Sequence, residues 1–164
     1  MDPVVTPLHQ LPPQALQVLL AEYGLALAWA EDGTAIPGSY WGDSEAGLIG
    51  DTLWVRRDTP VHSALHEACH WLCVDGERRA SLHTDAKGGD IEENAVCYLQ
   101  ALLADQLPGY SRAQLFADMD AWGYHFRLGS TQAWFERDAE DALAFLQQHG
   151  LVDAAGCLSG QRRR

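Results

Sequence analysis

Five consecutive residues carry the densest chemistry in the chain: His66-Glu67-Ala68-Cys69-His70, an H-E-x-x-H. On a helix, residues four apart share one face, so His66 and His70 can hold one metal ion between them. Glu67 would then lie near the open coordination position. There a carboxylate can take the proton of a metal-bound water. Imidazole donors suit zinc, and the chemistry predicted is hydrolysis by an activated water.

The motif needs a helix, and its surroundings predict one. Thr59 is a natural N-cap, Pro60 fits the first turn, and Gly76 is placed to end the element. Ala64, Leu65, Ala68, Leu72 and Val74 supply apolar positions. The plain alternative is a helix with two hydrogen-bonded histidines and an exposed glutamate, in a catalytically inert, metal-stabilised or metal-free binding module.

Two histidines leave a catalytic zinc site one protein ligand short. The longer metzincin pattern would need glycine where Cys73 stands and histidine where Gly76 stands. A carboxylate from a later helix remains, and the segment 90–104, DIEENAVCYLQALLA, offers two. Glu92 lies on the stripe of Ala95, Val96, Leu99, Leu102 and Leu103, which predicts that it faces the core. A metal would offset the cost of burying that charge. Glu93 lies over Val96, Cys97 and Gln100, a less apolar face, and it forms a capping box with Asp90. The facing argument favours Glu92. His62, one turn before His66, reads as a half-exposed helix residue, and His83 and Asp85 as loop residues within possible reach of the site. Cys69 and Cys73 read as small buried hydrophobes. Tyr124, His125 and His83 are the candidate donors to an oxyanion.

The elements around this site read as α+β: a small antiparallel sheet, the motif helix packed on it, and a helical C-terminal half. A helix from Pro12 or Pro13 to about Tyr23 is stopped by Gly24. Residues 25–30, LALAWA, predict a strand. Residues 46–49 and 52–56 predict a hairpin through Gly50-Asp51. Tyr40, Trp41 and Trp54 read as core or wall residues. Residues 77–89 are expected to form a polar loop. Helices follow from Asp90 to about Asp105, from Ser111 to about Trp122 and from about Ser130 to His149. Asp118, Asp120, Trp122, Tyr124 and Trp134 predict a solvated acidic face over an aromatic core. Residues 1–12 and 158–164 are expected to be irregular tails, with Arg162-Arg163-Arg164 frayed.

The chain has 164 residues, enough for one domain with a sizeable core, spanning 1–164. Its formal charge of −12 would repel nucleic acid and anionic membrane, so neither is an expected partner. No apolar run is long enough to span a bilayer. The first residues lack a basic region followed by an apolar stretch, so the expected location is cytoplasmic. The 4 cysteines form no C-x-x-C pair and predict free thiols.

HEACH at 66–70, followed by EENAVCYLQALLA from Glu92, resembles the gluzincin-type zinc metallopeptidases, and most of all the ImmA/IrrE-like family. In that family a Glu stands three residues before an Ala, followed by an aromatic residue and Leu-Leu. Here those positions are Glu92, Ala95, Tyr98 and Leu102-Leu103. The resemblance covers roughly residues 60–104, with Val96 where the family has Asn and Ala104 where it has Pro. It implies a zincin-like fold, His66, His70 and Glu92 as zinc ligands, Glu67 as base, and a peptide or protein substrate. A shorter stretch, Ala64-Leu65-HEACHW-Leu72-Cys73 with Gly76-Glu77-Arg78-Arg79, is similar to the metal-site helix of elongation factor P hydroxylases. That similarity implies iron and oxygen-dependent hydroxylation of a protein lysine. Two histidines and a carboxylate also satisfy an iron facial triad, so the ligand types leave zinc and iron both open.

Overall fold

The computed structural model describes residues 4–39, 44–80 and 89–164. Tyr40, Trp41, His83 and Asp85 lie outside the described residues. A short 3₁₀ turn at Leu8–Gln10 leads into helix α1, Ala15–Ala21. Strand β1, Ala26–Trp29, follows directly, because Gly24 at φ +85° permits the sharp exit from α1. Strands β2, Gly47–Ile49, and β3, Thr52–Val55, form the expected hairpin, with Gly50 at φ +58° opening its turn.

The sheet order is β1-β3-β2, and β1 runs parallel to β3, with Ala26 opposite Thr52 and Trp29 opposite Val55. The sheet is therefore mixed, which corrects the antiparallel expectation. The hairpin is antiparallel because its turn forces it. β1 reaches the free side of β3 by a longer connection that imposes no such constraint.

Helix α2, Val61–Cys73, carries the motif and packs on β2 and β3. The Ser63 hydroxyl accepts the Ala46 amide at 3.0 Å and ties the helix to the sheet margin. Pro60 stands at the N-cap, while the Thr59 hydroxyl accepts the Arg56 amide at 2.8 Å instead of capping the helix. All of α2 is buried except His66 and Glu67. A helix buried on every side belongs to the middle of a core, and this one has a single window, at the motif.

Helix α3, Gly76–Ala80, occupies the start of the expected loop. Helix α4, Asp90–Ala104, starts and ends close to where its pattern placed it, and lies between α2 and a later helix. Its N-cap is Gly89, with no side-chain cap, so Glu93 is not spent on a capping box. Helix α5, Arg112–Trp122, has the predicted cap: Ser111 accepts the Gln114 amide at 3.1 Å. The long last helix is two helices, α6, Thr131–Arg137, and α7, Glu140–Gln148. The break falls at Asp138, which pairs with Arg127. The layers run sheet, α2, α4, α7, and one hydrophobic cluster extends from Leu8 through Val152.

Two further expectations are corrected. Asp118 is not solvated: it is buried and accepts the Tyr110 hydroxyl at 2.8 Å and the Gln114 amide at 2.9 Å. Asp120 accepts the Thr131 amide at 2.9 Å and the Thr131 hydroxyl at 2.6 Å, fixing the start of α6. Arg162 and Arg163 are not frayed. The Arg163 amide donates to Leu72 O at 3.0 Å, and its guanidinium donates to Cys73 O at 3.1 Å. Buried Arg79 donates to Trp71 O, Val74 O and Arg163 O, at 3.0, 2.7 and 2.7 Å. The guanidiniums of Arg79 and Arg162 both lie over the Trp71 ring, at 4.9 and 5.0 Å. The last carbonyls of a buried helix need donors, and the tail brings them. Among the described residues no helix is long and apolar enough to cross a membrane.

Candidate metal centre

α2 presents His66 and His70 to α4, and their rings meet edge to face with centroids 4.7 Å apart. α4 answers with Glu93. Its Oε1 lies 2.9 Å from His66 Nε2, and its Oε2 lies 3.2 Å from His70 Nε2. The two imidazole Nε2 atoms are 3.1 Å apart. One ligand atom from each of the three residues lies within 4.8 Å of the others.

Glu92, the expected third ligand, is elsewhere. It is buried, but Arg78 from α3 holds it bidentately at 2.9 and 3.1 Å, and Arg163 stands 3.7 Å away. The facing argument was right about its burial and wrong about what compensates its charge. The compensating cation is a guanidinium from the short helix that the sequence presents as loop. Glu93, one residue on, points across to the histidines.

The cluster fits a divalent cation on its own chemistry. Two nitrogen lone pairs cannot face one another at 3.1 Å, so a proton or a cation must lie between them. His70 Nδ1 is buried without a hydrogen-bond partner among the described residues. Two imidazoles and a carboxylate are also the donors that zinc or iron accepts. Burial works to lower the His66 pKa, but contact with Tyr124 and hydrogen bonding to Cys97 and Glu93 hold it well above 6.5. Burial works to raise the Glu93 pKa, and the hydrogen bonds from His66 and His70 hold it well below the carboxylate range. A proton there does part of a cation's work.

Glu67 is half-buried, and burial raises its pKa above 4.5 against the opposing charges of His66 and His70. That shift is in the direction a general base needs. The Tyr124 ring stands 5.9 Å from the His66 ring. Burial raises its pKa as well, so the phenol keeps its proton. His125 is exposed. Cys69 and Cys73 are buried free thiols whose pKa values burial raises, and neither belongs to the metal-ligand group. They stay protonated, as small hydrophobes. A cavity of about 250 Å³ between Pro12, Pro13, Trp29 and Arg57 shares no residue with the cluster.

Sequence reasoning missed Gln100. It is fully buried, with Oε1 2.8 Å from His66 Nδ1 and Nε2 2.9 Å from His62 O. The signal was present: Glu93 and Gln100 are two helical turns apart on one face of α4. A polar pair at that spacing marks the face turned to other polar groups.

His62 is not half-exposed, as expected, but 1% exposed, with neither ring nitrogen hydrogen-bonded among the described residues. Its ring packs 4.9 Å from that of Trp122 and 6.0 Å from that of Tyr124. Burial brings its pKa from 6.5 down to about 4, with Asp118 opposing the shift and His66 adding to it. Between those two values the unfolded chain takes up a proton that the folded chain refuses. Stability is therefore full above about pH 6.5 and falls as the pH drops towards about 4, by about 3 kcal/mol in all. His66, with its raised pKa, changes its contribution only above that window, and Glu93 only below about pH 4.5. His62→Phe keeps an aromatic ring in the slot. Urea denaturation of this variant is expected to show that slope removed between about pH 6.5 and 4.

Fold and site together define an α+β chain in which a buried helix and its neighbour assemble a two-histidine, one-carboxylate group of metal-ligand geometry. No protein-family model, no curated protein and no solved structure matches the chain.

Proposed function

We propose that this protein is a zinc-dependent hydrolase acting on peptide bonds. The observation that carries the reading is the convergence of His66, His70 and Glu93 at the one window in α2, with Glu67 beside them. His66, His70 and Glu93 would hold the metal. When bound, zinc supplies Lewis acidity that brings a water's pKa near neutrality and polarises a carbonyl. Glu67 takes the proton of the attacking water and passes it to the leaving amine, a role its half-buried position suits. Tyr124, a neutral phenol whose ring stands 5.9 Å from that of His66, would be the donor to a developing oxyanion. The peptide bond as substrate class follows from the resemblance of HEACH and the α4 segment to zinc metallopeptidases.

The same donor set fits non-haem iron, and the similarity of residues 64–79 to elongation factor P hydroxylases supports oxygen-dependent hydroxylation as a second reading. Elemental analysis of untagged protein separates the two. About one zinc per chain, absent from a His66→Ala/His70→Ala double variant, together with chelator-sensitive cleavage of a peptide library, is the expected result. Iron, with oxygen consumed and no peptide cleaved, would replace it with the second reading. No metal in the wild-type protein, and no rise in melting temperature on adding zinc or iron, would sink both.

A further inference from the structure

The position of Gln100 bears on how the site would load its metal. Its side-chain amide is fully buried between two partners on α2, and each end has only one chemical possibility. The His62 carbonyl can only accept, so the group 2.9 Å from it must be the amide N–H₂. The amide oxygen is thereby turned to His66 Nδ1, 2.8 Å away. That oxygen can only accept, so Nδ1 must carry a proton. With Nδ1 protonated, the Nε2 proton that donates to Glu93 is the one an incoming ion displaces, and the lone pair it leaves is aimed at Glu93 and His70.

We propose that Gln100 is the positioning residue of the metal centre. It fixes the His66 ring and its tautomer so that the lone pair, and not an N–H, faces the ion. The inference rests on the metal-centre reading above. Gln100 is not itself a ligand; it acts through His66, much as carboxylates and carbonyls orient the imidazole ligands of other metal sites. The amide differs from those groups in having a second arm. By donating to the backbone of His62, one turn ahead of His66 on α2, it sets its own orientation from the helix that carries the ligand. His70 has no such partner: its Nδ1 is buried without a hydrogen bond among the described residues. The two histidines are thus unequal, and His66 is the one held in advance.

Two variants separate positioning from simple packing. Gln100→Glu keeps an acceptor for His66 Nδ1–H and loses the donor to His62 O. Gln100→Met, of similar length, loses both. Zinc affinity, measured by competition with a chromophoric chelator, is expected to fall roughly 10–100-fold in Gln100→Met and to stay within a few-fold of wild type in Gln100→Glu. A residue that only braces α2 against α4 would weaken both variants alike, in step with their melting temperatures, and that result would overturn the proposal. Equal zinc affinity in Gln100→Met and wild type would overturn it too. A measurement on the unmutated protein guards against misfolded variants. The ¹⁵N spectrum of the histidine rings in zinc-loaded wild-type protein should show His66 bound through Nε2 with its proton on Nδ1; zinc on Nδ1 refutes the inference. If wild-type protein takes up no zinc while its His66 carries the Nδ1 proton, the metal reading falls, and the hold of Gln100 on the ring stands.

Discussion

Glu93→Gln is expected to abolish tight metal binding, and Glu92→Gln to leave it intact. The two residues are chain neighbours of the same type, so composition and helix position cannot account for a difference; only geometry can. Glu93 spans both histidines, 2.9 Å from His66 Nε2 and 3.2 Å from His70 Nε2. Its removal takes away the only carboxylate in the group and leaves two imidazoles, a poor hold on a divalent ion. Loss of an outer partner of a metal ligand alone costs 10–100-fold in affinity, so loss of the ligand itself should cost at least about 100-fold. Glu92 is held by Arg78 and lies near Arg163. Its neutralisation should cost about 1 kcal/mol of stability, since Arg78 is partly exposed and solvent screens the pair. Calorimetric titration with zinc, alongside urea denaturation of each variant, checks both halves. Equal loss of zinc binding in the two variants would contradict the assignment of Glu93.

The contrast between the two glutamates shows where the sequence stops being legible. α2 could be read because its signals are local: a proline near its start, apolar residues at helical spacing and the motif itself. The β2–β3 hairpin and α4 could be read for the same reason. The direction of β1 could not, because its partner β3 is not the next strand and no turn between them dictates the pairing. The break between α6 and α7 contains no proline or glycine; it is held by Asp138 pairing with Arg127 in the preceding loop. The C-terminal arginines looked like a solvated tail because their acceptors, the last carbonyls of α2, lie some 90 residues away in the chain. Glu92 belongs to the same class of failure. A buried carboxylate needs a positive partner, and sequence offered a metal as readily as a distant guanidinium. Two readings of α4 competed there, the apolar stripe through Glu92 and the less apolar face of Glu93 with its capping box. The stripe found the core, and the site lay on the less apolar face that the stripe argument passed over.

Glu67→Gln should keep the metal and lose the chemistry. Glu67 is not one of the three grouped ligands, so zinc affinity should stay within a few-fold of wild type. The side chain is isosteric, and its half-buried position tolerates an uncharged amide, so the fold should survive. What goes is the proton acceptor: an amide cannot take a proton from water at neutral pH. General-base removal costs roughly 10²–10⁴-fold in turnover, and a loss of that size in kcat with KM little changed is the expected signature. Glu67→Asp keeps the charge but withdraws it by one methylene. A displacement of about 1 Å in a positioned group costs on the order of 10²-fold, so this variant should fall between wild type and Glu67→Gln. Peptide turnover by zinc-loaded protein orders the three. If Glu67→Gln were as active as wild type while its zinc stayed bound, water activation would belong to another group and the hydrolase mechanism would lose its base. If oxygen consumption by iron-loaded protein survived in Glu67→Gln, the cluster would be acting as a two-histidine, one-carboxylate oxygen site, for which a neighbouring base is dispensable. The placement of Glu67 at the only opening in an otherwise buried helix favours loss of turnover in Glu67→Gln. A carboxylate kept half-desolvated at a core helix's one window is costly unless it is used, and its pKa is already moved in the direction that use requires.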